Sequence, residues 1–170
     1  MLLLHVFYCF KPYAYQVQNN KKREVKANIL KLSLITKVVR AEGDTQTTVM
    51  DGKNPIAVIT ANSQEYDTKS NVMTAIGGVI IKYQDINTFS DKAVIRTDKK
   101  GDLKRIDLYG NAKVNEKTNK AEADHFIYDL VNEELISEGH TMSHTEMDDG
   151  KTDRKSTRLN SSHSRASRMP

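Results

Sequence analysis

A short pattern recurs four times along the chain: a small residue with a polar one, a strand-sized stretch, then a glycine. Three copies share one spacing, Ala27-Asn28 to Gly43, Ala61-Asn62 to Gly77 and Ala123-Asp124 to Gly139, with the glycine sixteen positions after the alanine each time. The remaining copy, Ser90-Asp91 to Gly110, is four residues longer, and Asp98-Lys99-Lys100-Gly101 supplies a turn-like insertion of that size. Self-similarity at this period is the mark of stacked architectures, in which one unit cannot bury its apolar side alone.

Within each copy the fifth residue after the small one is apolar or aromatic: Leu32, Tyr66, Ile95 and Tyr128. The twelfth is Val39, Met73 or Leu135, with Ile106 as the insertion-corrected equivalent. Polar middles such as Thr68-Lys69-Ser70-Asn71 separate the two positions, so each unit reads as strand, turn, strand. Val79-Ile80-Ile81-Lys82-Tyr83 and Ile106-Asp107-Leu108-Tyr109 roughly follow a period of two, and β-branched and aromatic residues dominate such segments. Gly77-Gly78, Gly110-Asn111 and Gly139 fall where a residue without a side chain permits a bulge or bend. They are read as relieving backbone strain, not as a phosphate loop, because no helix is signalled after them. The fold class predicted is all-β: a repeat-built, rolled two-sheet sandwich of stacked strand-turn-strand units. A basic amphipathic helix over Lys21 to Val39 competes, but the Ala27-to-Gly43 register favours a strand pair there.

Charge at first points elsewhere. The net charge of +4 suggests an acidic partner, yet the segment from Arg154 to Pro170 carries five basic residues and no acidic one. Without it, 21 basic residues face 22 acidic ones, so the body gives no reason to expect nucleic acid as a partner. The segment has no hydrophobic period and resembles translated adaptor or vector sequence, and it stands where a further copy is due after Met147-Asp148-Asp149-Gly150-Lys151. The organisation expected is therefore a leader or truncated signal peptide over 1–20, a β domain over 21–153 truncated at its C-terminus, and a disordered, non-native tail over 154–170. Cys9 is the only cysteine, so no intramolecular disulfide can form.

No catalytic constellation emerges. His140 and His144, near Glu138, Glu146 and Asp148, sit four apart in a strand-like stretch, about 13 Å from each other if extended, too far to share one ion. Ser63, Ser90 and Ser143 lack a nucleophile context, and the Asp148-Asp149 run has too few ligands for calcium. Lys99-Lys100 and Lys104-Arg105, interleaved with Asp98, Asp102 and Asp107, read as a solvated hairpin. An enzyme, a metal and a cofactor are accordingly not expected. What remains is the interior. Leu30, Leu32, Tyr66, Met73, Val79, Ile81, Ile95, Ile106, Leu108, Phe126, Tyr128 and Leu135 fall on one strand face in successive copies. They either fill a dry core or line a groove for acyl chains, each buried methylene contributing about 0.8 kcal/mol.

Between Pro55 and Thr145 a series of motifs stands in order: Pro55-Ile56, Ile59-Thr60-Ala61-Asn62-Ser63, Tyr66-Asp67, Asn71, Thr74-Ala75, Gly77 and Val79-Ile80-Ile81. Ser90-Asp91-Lys92-Ala93-Val94, Ile106, Tyr109-Gly110-Asn111-Ala112, Ala123-Asp124, Tyr128-Asp129 and Gly139 continue it. On these residues the chain resembles the OstA-like (LptA) family of lipopolysaccharide-transport proteins. The resemblance implies a β-jellyroll that holds the lipid A acyl chains of lipopolysaccharide and does not alter them chemically. It also implies a periplasmic location in a Gram-negative envelope, head-to-tail self-association, and strand-edge contact with inner- and outer-membrane transport proteins of the same fold. The motif occurs as well in the membrane-anchored LptC type and at the front of the LptD type. No anchor helix is visible and the chain is too short for an outer-membrane barrel, so the soluble bridge is the better match.

Overall fold

The computed structural model of the chain describes residues 4–7, 12–18, 21–146, 152–158 and 164–165. Its strands are all antiparallel, and none of the described residues is helical. β3 (Lys21–Lys26) and β4 (Ile29–Leu32) act as two halves of one bent strand, broken at Ala27-Asn28. β5 (Val38–Asp51), β6 (Asn54–Asp67), β7 (Val72–Tyr83), β8 (Ile86–Thr97), β9 (Leu103–Glu116) and β10 (Asn119–Asp129) follow as hairpin-linked neighbours. β11 (Glu134–Glu138) and β12 (His140–Glu146) are again halves of one strand, interrupted at Gly139, and both pair with β10. β1 (Leu4–Phe7) and β2 (Tyr13–Gln18) extend the sheet beyond β3, while β13 (Thr152–Arg158) lies on β12 and β14 (Ser164–Arg165) on β11. The competing helix over Lys21 to Val39 is replaced by the expected strand pair, with Leu32 opposite Val39.

Every long strand bends at the same level. Pairing slips between Glu42 and Thr45, Thr60 and Ser63, Ile76 and Val79, Phe89 and Lys92, and Ala123 and His125. This row of bulges creases one sheet into two leaves, as bulges do when they sharpen local twist and bend. One leaf holds β2, β3, the second half of β5 and the first half of β6; the other holds β4, the first half of β5 and the second half of β6, and so on along the ladder.

The crease explains the repeat. Gly77 has φ of +83°, and a Cβ there would stand 2.6 Å from Nδ2 and 3.0 Å from Cβ of Asn62 on the next strand. Only glycine both adopts that backbone and leaves the space the Asn62 side chain occupies. The same juxtaposition recurs at Asn28–Gly43, Asp91–Gly110 and Asp124–Gly139. The glycine thus does more than relieve strain: the polar residue fifteen positions earlier, or nineteen in the longer copy, is its packing partner. In two copies the carboxylate is also satisfied locally. Asp91 accepts a hydrogen bond from Asn111 Nδ2 (2.8 Å), and Asp124 accepts from the backbone N–H of His140 (3.0 Å) and sits 2.9 Å from His140 Nδ1. Those contacts hold the Asp124 carboxyl below its ordinary range, the His140 backbone N–H contributing most.

The fifth and twelfth positions of each copy are direct cross-strand partners: Leu32–Val39, Tyr66–Met73, Ile95–Ile106 and Tyr128–Leu135. Val39–Tyr66, Met73–Ile95 and Ile106–Tyr128 join them into one unbroken row across a leaf. Nearer the crease, where the leaves converge, the residues shrink to Ala41, Ala75 and Ala93, the last two fully buried. Along the open side of that leaf, tight turns begin with an aspartate that accepts from backbone N–H groups two to four residues on. Asp67 receives Lys69 (2.8 Å), Asp98 receives Lys100 (2.8 Å) and Asp129 receives Val131 (2.9 Å).

Arg154–Arg158 lies in β13 and pairs in register with β12; an unpaired strand edge offers backbone groups that many sequences can satisfy. One expectation needs correction. Asp107 is not part of a solvated hairpin, because its carboxylate is fully buried on the outer side of a leaf. Arg105 donates to it at 2.6 and 2.9 Å, and Arg96 is also ion-paired with it. Burial alone would push this carboxyl up, but the hydrogen-bonded Arg105 and the neighbouring Arg96 outweigh that and hold it below its usual range. Cys9 and the 147–151 segment lie outside the described residues.

Candidate functional site

Between the leaves lies a cavity of about 160 Å³. Ile59 and Ile81 form its wall on one leaf, and Tyr66, Met73, Ile95 and Ile106 form the wall opposite. A smaller space of about 20 Å³ continues from Ile81 and Ile106 towards Leu108, Phe126, Tyr128 and Leu135. The difference follows from packing at the crease. Alanines 75 and 93 leave room at β7 and β8, whereas Leu108 and Phe126, paired directly with each other, fill the equivalent level at β9 and β10. Burial pushes the phenol of Tyr128 above its ordinary range.

The residues singled out from sequence therefore divide. Tyr66, Met73, Ile81, Ile95 and Ile106 meet around the larger space; Leu108, Phe126, Tyr128 and Leu135 surround the smaller one. Val79 packs in the same core but lines neither cavity. Leu30 belongs to a second cluster with Ala14, Ala27 and Ala41, and Leu32 is half-buried outside both clusters. A polar layer crosses the interior near these clusters. The Thr45 hydroxyl donates to the Ala61 carbonyl (2.7 Å), Thr47 donates to Gln64 Oε1 (2.5 Å), and Gln64 Nε2 donates to the Ile59 carbonyl (3.1 Å). Fully satisfied buried groups of this kind are tolerated where orphaned ones are costly.

Polar residues missed in the sequence gather at the mouth. Lys21 and Arg23 lie on β3 and both line the larger cavity, as do Asn71, Thr97, Gly101 and Asp102. The Arg23 guanidinium stacks over the Tyr66 ring, 4.1 Å from its centroid, and so spans the gap between leaves. The Tyr66 hydroxyl donates to Asn71 Oδ1 at 3.2 Å. Lys21 is ion-paired with Asp102 across 81 positions of sequence. The available signal was the alternation Lys21, Arg23, Val25, which puts two cations on the inward face of a strand.

The histidines take up local roles. His125 Nδ1 is 2.9 Å from Glu138, and its ring stacks on Tyr109 at 4.3 Å between centroids. Among the described residues no group of three or more His, Cys, Asp or Glu side chains is placed to hold a metal ion. The groove can take up apolar groups and, at its mouth, a polar or anionic one.

Comparison with known proteins places this architecture. The family described as "LptA/(LptD N-terminal domain) LPS transport protein" matches residues 58–160. Among solved structures the chain is similar to LptH from Pseudomonas aeruginosa, described as the LptA-homologous periplasmic component of a conserved lipopolysaccharide transport device. That likeness has a TM-score of 0.51 at 20% identity and covers 63% of this chain and 75% of LptH, so it bears on the fold. No curated protein sequence matches significantly. With the family match spanning more than half of its length and the creased β-sheet in agreement, the chain belongs to the LptA/LptD N-terminal-domain family of lipopolysaccharide-transport proteins, a family of transporters and not of enzymes.

Proposed function

We propose that this protein is a non-enzymatic carrier that holds the acyl chains of lipopolysaccharide between its two leaves as the molecule crosses the periplasm of a Gram-negative cell. The observation that carries this reading is the continuous apolar row facing a cavity, from Tyr66 through Met73 and Ile95 to Ile106, in a chain of this transport family. At about 160 Å³ the space is smaller than the roughly 300–1,000 Å³ of most small-molecule sites. Acyl chains are therefore accommodated by parting of the leaves, which meet through side chains at the open side and are joined covalently only along the crease.

Head-to-tail association and contact with transport partners of the same fold would use the sheet edges. Among the described residues β4 pairs only with β5, and β13 only with β12, so backbone groups remain for strand addition. A structural module with a dry core is the second reading, and the nearly filled space around Phe126 favours it at that end of the groove.

Gel filtration of the purified protein with lipopolysaccharide tests the carrier reading. Lipopolysaccharide is expected to co-elute with the wild-type chain, and Ile81→Glu, with its β-sheet circular dichroism intact, is expected to lose it. Absence of co-elution with the wild-type chain would refute the carrier function and leave the dry-core module.

A further inference from the structure

The copy that breaks the repeat spacing has a structural consequence. Its four extra residues, Asp98 to Gly101, form a turn closed by Asp98, which accepts from the N–H groups of Lys100 (2.8 Å) and Asp102 (2.9 Å). The turn presents Asp102 to Lys21 on the opposite leaf, and Gly101 packs there too, its Cβ position 3.9 Å from Lys21 Cδ. Two residues further along β3, Arg23 has its Nε buried without a hydrogen-bond partner among the described residues. Burying a guanidinium nitrogen unpaired costs free energy that a ligand acceptor would recover. A cavity walled by isoleucines thus ends at two cations, one short of an acceptor and one held by a single carboxylate whose side chain is 45% exposed.

We propose that Lys21 and Arg23 form a recognition site for the anionic head, a phosphate or carboxylate, of an amphiphile whose chain lies in the groove, and that Asp102 occupies the place of that anion until it arrives. The inference rests on the groove being an acyl-chain site. Binding an anionic head exchanges one oxyanion for another at Lys21, gives Arg23 Nε its missing acceptor, and frees the Asp98–Asp102 turn from the opposite leaf. The insertion therefore works as a strap across the groove mouth that the correct ligand releases. Charge-assisted bonds to a guanidinium and an ammonium are strong enough to bias binding about tenfold.

Displacement of the uncharged fluorophore N-phenylnaphthylamine from the full chain, at ligand concentrations below micelle formation, reads this directly. Dodecyl phosphate and dodecyl maltoside share a chain and differ in head charge. The wild-type protein is expected to prefer the phosphate about tenfold. Arg23→Gln and Lys21→Gln are expected to bring that ratio to about one, Arg23→Lys to retain most of it, and Asp102→Asn to raise it by removing the competitor. Circular dichroism confirms that each variant is folded. Equal affinities for the two heads in wild type overturn the head site while leaving the acyl-chain reading in place. Displacement of the fluorophore by neither amphiphile overturns the acyl-chain reading and the head site with it. Inorganic phosphate at millimolar concentration is expected to leave the ratio unchanged; abolition of the preference by phosphate alone would reassign the cations to a free-anion site and overturn the headgroup assignment.

Discussion

Replacing Gly77 by alanine tests the account of the crease. Its φ of +83° costs an L-residue about 1–2 kcal/mol on backbone grounds. The added methyl would stand 2.6 Å from Asn62 Nδ2 and 3.0 Å from its Cβ, distances that force neighbouring atoms to move. Overpacking of that kind adds about 1–3 kcal/mol. Gly77→Ala should therefore destabilise by about 2–5 kcal/mol. Gly78→Ala is the internal control. Its φ is also positive, at +56°, but nothing lies within 4 Å of the new methyl, so only the backbone cost of about 1 kcal/mol applies. Asn62→Gly removes the three atoms nearest to the Gly77→Ala methyl. In the double variant the loss should fall short of the sum of the single losses by about 1 kcal/mol or more. Urea unfolding followed by circular dichroism supplies all of these values. Equal losses at 77 and 78, or strict additivity of Gly77→Ala with Asn62→Gly, would refute the claim that the repeat encodes a glycine–asparagine contact.

Other consequences are direct. Phe126 is 1% exposed in the filled end of the groove, so Phe126→Ala should cost about 3–5 kcal/mol in the same assay, whereas Ile35→Ser, at a turn position 89% exposed, should stay within about 0.5 kcal/mol. Asp107 has a folded-state pKa below its unfolded one, so the unfolded chain binds more protons at low pH. Its contribution is present above the unfolded carboxylate value and lost as pH falls through the folded value; Asp107→Asn should flatten that acid limb in urea titrations from neutral to strongly acidic pH. The Lys21–Asp102 pair is partly exposed, and Asp102→Asn should change stability by less than about 1 kcal/mol, which separates its effect on ligand binding from any effect on folding.

The bends were legible in the sequence because a left-handed glycine and its polar partner must recur at fixed spacing to crease adjacent strands at one level. The rows of apolar partners were legible for a similar reason: Tyr66 and Met73 flank a tight turn, and turn length fixes their register. Turn acids Asp67, Asp98 and Asp129, each 31 residues apart, were a further signal that alternation alone does not expose. Contacts between leaves were not legible. Whether Lys21 meets Asp102, or Arg23 meets Tyr66, depends on how sharply the sheet folds, and strand alternation reports only which face a residue is on. Leu30 and Leu32 illustrate the limit: both fit the register, yet the polar layer of Thr45, Thr47 and Gln64 and the Arg23–Tyr66 stack stand beside the cavity they were expected to line. Asp107 was misread because outward-facing positions of a two-leaved sheet are solvated only where no long side chain covers them, and Arg96 and Arg105 cover this one.

The central claim, that lipopolysaccharide lies between the leaves, is tested most directly by photo-crosslinking in living cells. A benzophenone side chain is placed at Ile81, which lines both interior spaces, and in a parallel strain at Ile76, which is 51% exposed on the outer side of the same strand. The account predicts a lipopolysaccharide adduct at position 81 and little or none at position 76. No adduct at 81, or equal adducts at both, would contradict it.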